Sequence, residues 1–152
     1  MLTFSVTTRS SFDSVWAFMR DLRNLPRWDA GTAYARKLAG AEWEVGMRPL
    51  SGRGGDPIVL RGCPKEWVRP KRAGVETWWT YEGGGFAAAD GWRVEDEGDV
   101  RRVTYELRTY ALRGWRAWVC CFASICAVEP ALRAYAREDR VLLKGALDGI
   151  TL

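Results

Sequence analysis

The chain begins with alternating apolar and polar residues and then changes to a helical spacing. Residues 2–8 alternate with a period of two, which predicts a β-strand. From Phe12 to Leu22 apolar residues recur every three or four positions, so that they share one face of a predicted helix of about three turns. Ser10 is expected to cap this helix. Pro26 ends it and predicts a second short helix directly afterwards.

Strand and turn signals dominate the middle of the chain, from about residue 31 to residue 112. Glycine clusters and short charged turns separate the apolar runs, which is typical of an antiparallel meander. The predicted strands lie near 32–39, 43–51, 57–68, 74–82, 88–96 and 100–112. Alternation assigns Trp79 and Tyr81 to the interior face of the fourth of these strands, and Tyr105 to the interior face of the sixth.

The C-terminal part of the chain has helical patterns. Residues 115–126 keep an apolar helical spacing, and Glu129-Pro130 opens a further helix, because proline is tolerated in a first turn. The apolar stripe of this last helix consists of Leu132, Tyr135, Ala136, Leu142, Leu143, Ala146 and Leu147. Asp139 lies seven positions after Leu132, near the middle of that stripe. A carboxylate that faces a core needs a partner or a raised pKa, so Asp139 is the most informative polar residue of the chain.

Composition excludes several kinds of chemistry. The chain has 152 residues, enough for one domain with a substantial core, so we expect a single domain over 1–152. It has no histidine, which excludes histidine-dependent triads and histidine metal sites. The net charge is +4, but basic residues are interspersed with acids, and we expect no nucleic-acid partner.

Location and redox state follow from the apolar runs and the cysteines. The longest apolar stretch is too short to span a bilayer, and the N-terminus lacks a basic region followed by an apolar run. We therefore expect a cytoplasmic protein without membrane insertion. The four cysteines show no Cys-x-x-Cys spacing, and we expect them to be small buried hydrophobes in a reducing compartment.

Five short motifs occur in order along the chain. They are Val15-Trp16-Ala17-Phe18-Met19-Arg20-Asp21 with Leu25-Pro26-Arg27-Trp28-Asp29, then Val45-Gly46, Glu66-Trp67-Val68-Arg69-Pro70-Lys71, Arg102-Val103-Thr104-Tyr105 and Leu143-Lys144. In this order they resemble the START/SRPBCC superfamily, the helix-grip fold, and within it the polyketide cyclase/dehydrase branch. In the third motif Arg69 and Lys71 stand where that branch has proline and arginine.

The resemblance implies an α+β helix-grip fold. In this fold a curved antiparallel sheet of about seven strands wraps around a long C-terminal helix, and two short helices follow the first strand. It also implies a deep, largely apolar cavity between sheet and helix, open to a bulky hydrophobic or aromatic small molecule. The superfamily includes enzymes, lipid carriers and hormone receptors, so its function carries over only as analogy. No metal or organic cofactor is required, and a monomer or a homodimer is expected.

Three residues are the candidates for catalysis in such a cavity. Asp139 would be a general acid/base or a ligand anchor, or alternatively part of a structural ion pair. Tyr81 would donate its hydroxyl to a developing enolate, or else be a core aromatic residue. Arg93 would bind a carboxylate, phosphate or enolate if it faces inward, and would be solvated if it faces outward.

The other candidates would contact the ligand. Trp28, Trp67 and Trp79 are expected on the cavity wall or in the core, and Tyr105 beside them. Arg48 has the same two alternatives as Arg93. The remaining two, Asp90 and Glu66, are further acids or solvated surface residues.

The sequence therefore supports two principal functions. The first is a polyketide cyclase/dehydratase-like enzyme that folds its substrate in the cavity and promotes cyclisation or dehydration by acid/base catalysis. The alternative is a non-catalytic protein that binds or carries a hydrophobic small molecule. A third possibility is an interaction module that uses the outer surface of the fold.

Overall fold

The computed structural model describes residues 2–48, 56–81, 86–112 and 129–150. In chain order its elements are β1 (Leu2–Thr8), α1 (Phe12–Arg20), a 3₁₀ turn (Leu22–Asn24), α2 (Leu25–Trp28), β2 (Thr32–Lys37), β3 (Trp43–Met47), β4 (Ile58–Arg69), β5 (Arg72–Tyr81), β6 (Phe86–Asp96), β7 (Arg101–Leu112) and α3 (Glu129–Asp148). The strands begin and end within a few residues of their predicted bounds.

The strands form one curled sheet in the order β1-β7-β6-β5-β4-β3-β2, with antiparallel neighbours throughout. All neighbours are consecutive in the chain except β1 and β7, which pair from Leu2 opposite Leu107 to Thr8 opposite Arg101. The helices pack on one face, called here the concave face. This arrangement confirms the α+β helix-grip fold, with two short helices after the first strand and a long helix at the end.

Alternation along β5 separates the two faces of the sheet as predicted. Val75, Thr77 and Trp79 are buried on the concave face, whereas Glu76 and Trp78 are exposed on the opposite, convex face. The side chain of Trp78 is 57% exposed and that of Trp79 only 5%. A period of two is therefore sufficient to assign the core side of this strand.

The cap of α1 differs from the prediction by one residue. The Oγ of Ser11, not that of Ser10, accepts the backbone N–H of Ser14 at 3.2 Å. Ser10 instead donates its hydroxyl to the carbonyl oxygen of Leu147, at 2.9 Å. The prediction was wrong because both serines fit a cap, and a tertiary bond to α3 engages the first of them.

Burial along α3 follows a helical period. Among residues 133–148, whose side chains the structure describes, the buried residues are Ala136, Asp139, Leu143 and Leu147, and the predicted burial of Leu132 lies outside this range. Leu142 is 37% exposed, so its assignment to the apolar stripe is wrong, since it lies about 100° around the helix from Leu143. The buried stripe of α3 contacts β1 and α2.

Some predictions fall outside the residues that the structure describes. These are the helix over 115–126 and the state of Cys120, Cys121 and Cys126. Cys63, which was expected to be buried, is exposed, because it lies opposite Trp78 on the convex face.

None of the helices within the described ranges is both long enough and apolar enough to cross a bilayer.

Candidate active site

The turn that follows α2 brings a carboxylate to the concave face. Asp29 ends α2, and its Oδ1 accepts the backbone N–H of Gly31 at 2.8 Å. Its Oδ2 accepts the hydroxyl of Thr32 at 2.5 Å. An aspartate that binds the backbone two residues ahead forms an Asx turn, a local structure that fixes both chain direction and carboxylate. The turn therefore holds Asp29 in one orientation.

The peptide groups of this turn connect α3 to the end of β3. The backbone N–H of Ala30 donates to Oδ1 of Asp139 at 2.8 Å. The carbonyl oxygen of Ala30 accepts a hydrogen bond from Nη1 of Arg48, the residue that follows β3. The backbone N–H of Arg48 also donates to the carbonyl oxygen of Gly31, at 2.7 Å. Residues 29–31 thus place two carboxylates and a guanidinium beside one another.

A third carboxylate comes from the sheet. Asp90 lies on β6, and its Oδ1 accepts the indole N–H of Trp79 at 3.0 Å. Its Oδ2 accepts the hydroxyl of Tyr105, also at 3.0 Å. The Tyr105 ring packs edge-on against Trp28 with centroids 5.7 Å apart, and against Phe4 at 5.4 Å. Trp79 and Tyr105 therefore bind the carboxylate of Asp90. Together with Trp28 they form a surface that we call the aromatic wall.

Electrostatics link Asp29, Asp90 and Asp139, which we call the acid cluster. Burial and, to a smaller extent, the charge of Asp29 together raise the pKa of Asp139 to about 7, against the hydrogen bond from Ala30. Burial raises the pKa of Asp90 to about 6, against its bonds from Trp79 and Tyr105. Burial also raises the pKa of Asp29, while its own hydrogen bonds and Arg48 oppose this. Asp139 and Asp90 can therefore gain and lose protons near neutral pH.

Six of the residues nominated from the sequence meet at this place. They are Asp139, Arg48, Asp90, Trp28, Trp79 and Tyr105. Asp29 was missed as a candidate. The signal that could have identified it is local, because an aspartate that closes a helix before Ala-Gly-Thr is typical of an Asx turn.

Arg93 and Trp67 lie away from the acid cluster, on the convex face. Arg93 donates from Nε to Glu95 at 3.2 Å and from Nη1 to Glu106 at 2.5 Å. It sits opposite Gly74, whose missing side chain makes room for the ring of Trp67. The alternation that points Trp92 inward turns Arg93 outward, which corrects its placement in a cavity. The hollow beside these residues measures about 50 Å³, too small for a bulky ligand.

The last two nominated residues do not join the acid cluster within the described structure. Glu66 forms an ion pair with Arg20 of α1 at 3.0 Å, and both side chains are at least one-third exposed. Tyr81 pairs through its backbone with Leu60, but its side chain lies outside the part of the chain that the structure describes. The predicted apolar cavity remains a prediction.

Gly62 on β4 provides the space that Trp79 needs to reach Asp90. A Cβ at this position would lie 2.5 Å from the carbonyl oxygen of Trp78 and 2.8 Å from Cε3 of Trp79. We expect Gly62→Ala to lower the free energy of unfolding by about 1–2 kcal/mol through overpacking, measured by chemical denaturation. Gly145→Ala is the control: no described atom lies within 4 Å of the added Cβ in α3, so a gain of about 0.5–1 kcal/mol is expected. Equal effects of the two substitutions would contradict this packing.

Comparisons with solved structures identify the fold. A START superfamily protein from Mycobacterium smegmatis superposes with a TM-score of 0.65 at 11% identity, covering 99% of this chain and 98% of that one. The Zhui aromatase/cyclase from Streptomyces sp. R1128 gives 0.56 at 14% identity, covering 97% and 90%. The di-domain aromatase/cyclase BexL from the BE-7585A biosynthetic pathway gives 0.61 at 14% identity, covering 95% of this chain and 45% of that one.

These likenesses concern architecture alone. The chain has the helix-grip fold of START/SRPBCC proteins, in a form similar to the polyketide aromatase/cyclases. No model of a protein family matches the sequence, and no curated protein matches it either.

Proposed function

We propose that this protein is a polyketide cyclase- or dehydratase-like enzyme that acts on a bulky hydrophobic or aromatic metabolite. The ligand would occupy the space between the concave face and α3, within a single cytoplasmic ligand-binding domain. The observation that carries the proposal is the position of Asp139. It is a buried carboxyl group with a pKa of about 7, bound to the N–H of Ala30, whose carbonyl oxygen binds Arg48, at the site where such a ligand would lie.

The proposed acid/base group matches the pH at which it would work. A general acid or base is most effective when its pKa lies near the working pH, and Asp139 meets this condition without a histidine. Ionised Asp139 would remove a proton from a carbon between two carbonyl groups. Protonated Asp139 would give a proton to the oxygen that leaves as water. Either step is consistent with cyclisation followed by dehydration.

Arg48 and the aromatic wall would support these proton transfers. The Arg48 guanidinium has five N–H donors, and one nitrogen is used on the Ala30 carbonyl. Its positive charge would stabilise the enolate that forms when the substrate loses a proton. Trp28, Trp79 and Tyr105 would hold the apolar chain of the substrate and exclude water from the reacting carbons.

The partners of Asp90 also support a ligand-binding role. A purely structural carboxylate cluster would be expected to close around its ion pairs. Here Asp90 is bound by two neutral donors, Trp79 and Tyr105, and keeps a raised pKa. Such perturbed groups are more common at functional sites than elsewhere.

The test is incubation of the purified protein with poly-β-ketone surrogates and polycyclic aromatic compounds, followed by LC–MS against a no-protein control. We expect a new, protein-dependent product with the mass of a cyclised or dehydrated substrate. A compound that is retained by the protein but returned unchanged would contradict catalysis. That result would favour the alternative function, a carrier of hydrophobic small molecules.

A further inference from the structure

We propose that Asp29 is a positioning residue for Asp139. In the pair formed by Asp29 and Asp139, Asp29 carries the negative charge at a fixed position. The proton that the pair retains therefore resides on Asp139. This inference rests on the proposed role of Asp139 as the acid/base group, and it adds a residue that was not among the candidate site residues. Its basis is the hydrogen bonding of the two carboxylates on either side of the Ala30 peptide.

The two carboxylates differ in the number of donors that reach them. Both oxygens of Asp29 accept a hydrogen bond, from the Gly31 N–H at 2.8 Å and the Thr32 hydroxyl at 2.5 Å. Among the described residues one donor reaches Asp139, the Ala30 N–H at 2.8 Å. Hydrogen bonds donated to a carboxylate favour its ionised form. Burial raises the pKa of both carboxyl groups, and the larger number of donors at Asp29 favours placing the shared proton on Asp139.

The surrounding charges act in the same sense. Burial has the largest effect on Asp29 and raises its pKa, but Arg48, from the end of β3, opposes burial and favours the ionised form. The charge of Asp29 in turn disfavours ionisation of Asp90 on β6 and of Asp139 on α3. Glu138, the neighbour of Asp139 on α3, adds a smaller effect of the same sign on Asp139. Asp29 is thus the common neighbour through which the α2–β2 turn influences both other carboxylates.

Adjacency in the chain makes this arrangement rigid. Asp29 and Ala30 are consecutive residues, and the Ala30 N–H binds Asp139 while the Asx turn fixes the Asp29 side chain. The distance between the two charges cannot relax without breaking the turn or detaching α3. A fixed like charge at short range raises the pKa of a carboxyl group. Without it, the pKa of Asp139 would be lower and a smaller fraction of Asp139 would be protonated at neutral pH.

The test is the titration of aspartate side-chain carboxyl carbons by ¹³C NMR, with Asp139→Asn used to assign the Asp139 resonance. In Asp29→Asn the amide can still accept the Gly31 N–H, so the turn is retained without its charge. We expect the Asp139 midpoint to fall by about one pH unit or more. Asp21→Asn is the matched control, because Asp21 accepts the N–H of Arg23 two residues ahead in the same way. It should leave the Asp139 midpoint unchanged.

Arg48→Gln provides an independent variant if Asp29→Asn does not fold. Removing the positive charge beside Asp29 should raise the pH midpoint at which the Asp29–Asp139 pair titrates. This shift is opposite in sign to the one expected for Asp29→Asn. An unchanged Asp139 midpoint in Asp29→Asn would overturn the proposal. So would a wild-type titration in which Asp29 holds the proton near neutral pH and Asp139 is ionised. Because the titration uses no substrate, its result is separate from the test of catalysis.

Discussion

Replacing Leu143 by alanine is expected to lower the free energy of unfolding by about 3–4 kcal/mol, the largest stability effect we predict for a single side chain. Leu143 is fully buried on α3, and its removal leaves a cavity against the packed sheet and helices in addition to the lost transfer free energy. Leu142→Ala is the matched control. It makes the same chemical change one residue earlier, at a side chain that is 37% exposed, and should cost about 1 kcal/mol or less.

Chemical denaturation of both variants at neutral pH measures the difference. It tests the rotational position of α3, which is also what directs Asp139 toward the concave face. If Leu142→Ala were as destabilising as Leu143→Ala, α3 would be rotated from the position described here. The assignment of Asp139 to the buried stripe would then fail with it.

Replacing Asp139 by asparagine is expected to stabilise the protein at pH 8 by about 2 kcal/mol. The pKa of Asp139 is raised from 3.8 to about 7 by folding, which corresponds to at most about 4 kcal/mol. Relaxation of the protein around the ionised carboxylates of Asp139 and Asp29 makes the actual free-energy cost smaller than this maximum. Because the folded protein binds the proton more tightly than the unfolded chain, stability falls as pH rises from about 4 through about 7. Asparagine keeps the bond from Ala30 and removes this dependence.

The pH dependence gives this prediction a clear signature. The difference between wild type and Asp139→Asn should be small at pH 4 and grow toward pH 8, as measured by denaturation at several pH values. Asp148→Asn is a control on the same helix. The pKa of Asp148 is lowered chiefly by its hydrogen bond with Lys144, so its loss should give no gain at pH 8. If Asp139→Asn were less stable than wild type at pH 8, the claim that burial of the ionised Asp139 carboxylate destabilises the protein would be wrong.

A stability cost at Asp139 is itself an argument about function. A buried group that destabilises the fold at working pH is readily lost unless it contributes something else, and such trade-offs concentrate at active sites. Asp139→Asn is therefore expected to combine greater stability with lower activity. A merely structural role would instead predict that stability and function are lost together.

Most of the fold could be predicted from periodicity. The alternation of β5 and the helical spacing of α3 reflect which side chains must leave water, so burial follows the pattern directly. Asp139 was identified for the same reason, since a charged residue within an apolar stripe stands out. Among the described side chains of α3 the exception was Leu142, because an apolar side chain at the edge of a stripe can be exposed without a large cost.

The rest of the candidate site depends on tertiary contacts that the hydrophobic periodicity of the sequence cannot predict. Asp29 lies in a turn, and its importance arises from packing against α3. The facing of Arg93 could not be assigned from alternation because the register of β6 on β7 shifts between Ala89 and Asp90. A bulge of this kind changes which side chains share a face without changing composition. The meeting of Asp90 with Tyr105 is likewise a property of the register.

The most direct test of the proposed function is the rate of product formation, by LC–MS, from a poly-β-ketone substrate that the wild-type protein converts. We predict that Asp139→Asn lowers this rate by about 100-fold or more at neutral pH. It should still retain the substrate, because the aromatic wall of Trp28, Trp79 and Tyr105 is unchanged. Undiminished turnover by Asp139→Asn would contradict the assignment of Asp139 as the acid/base group.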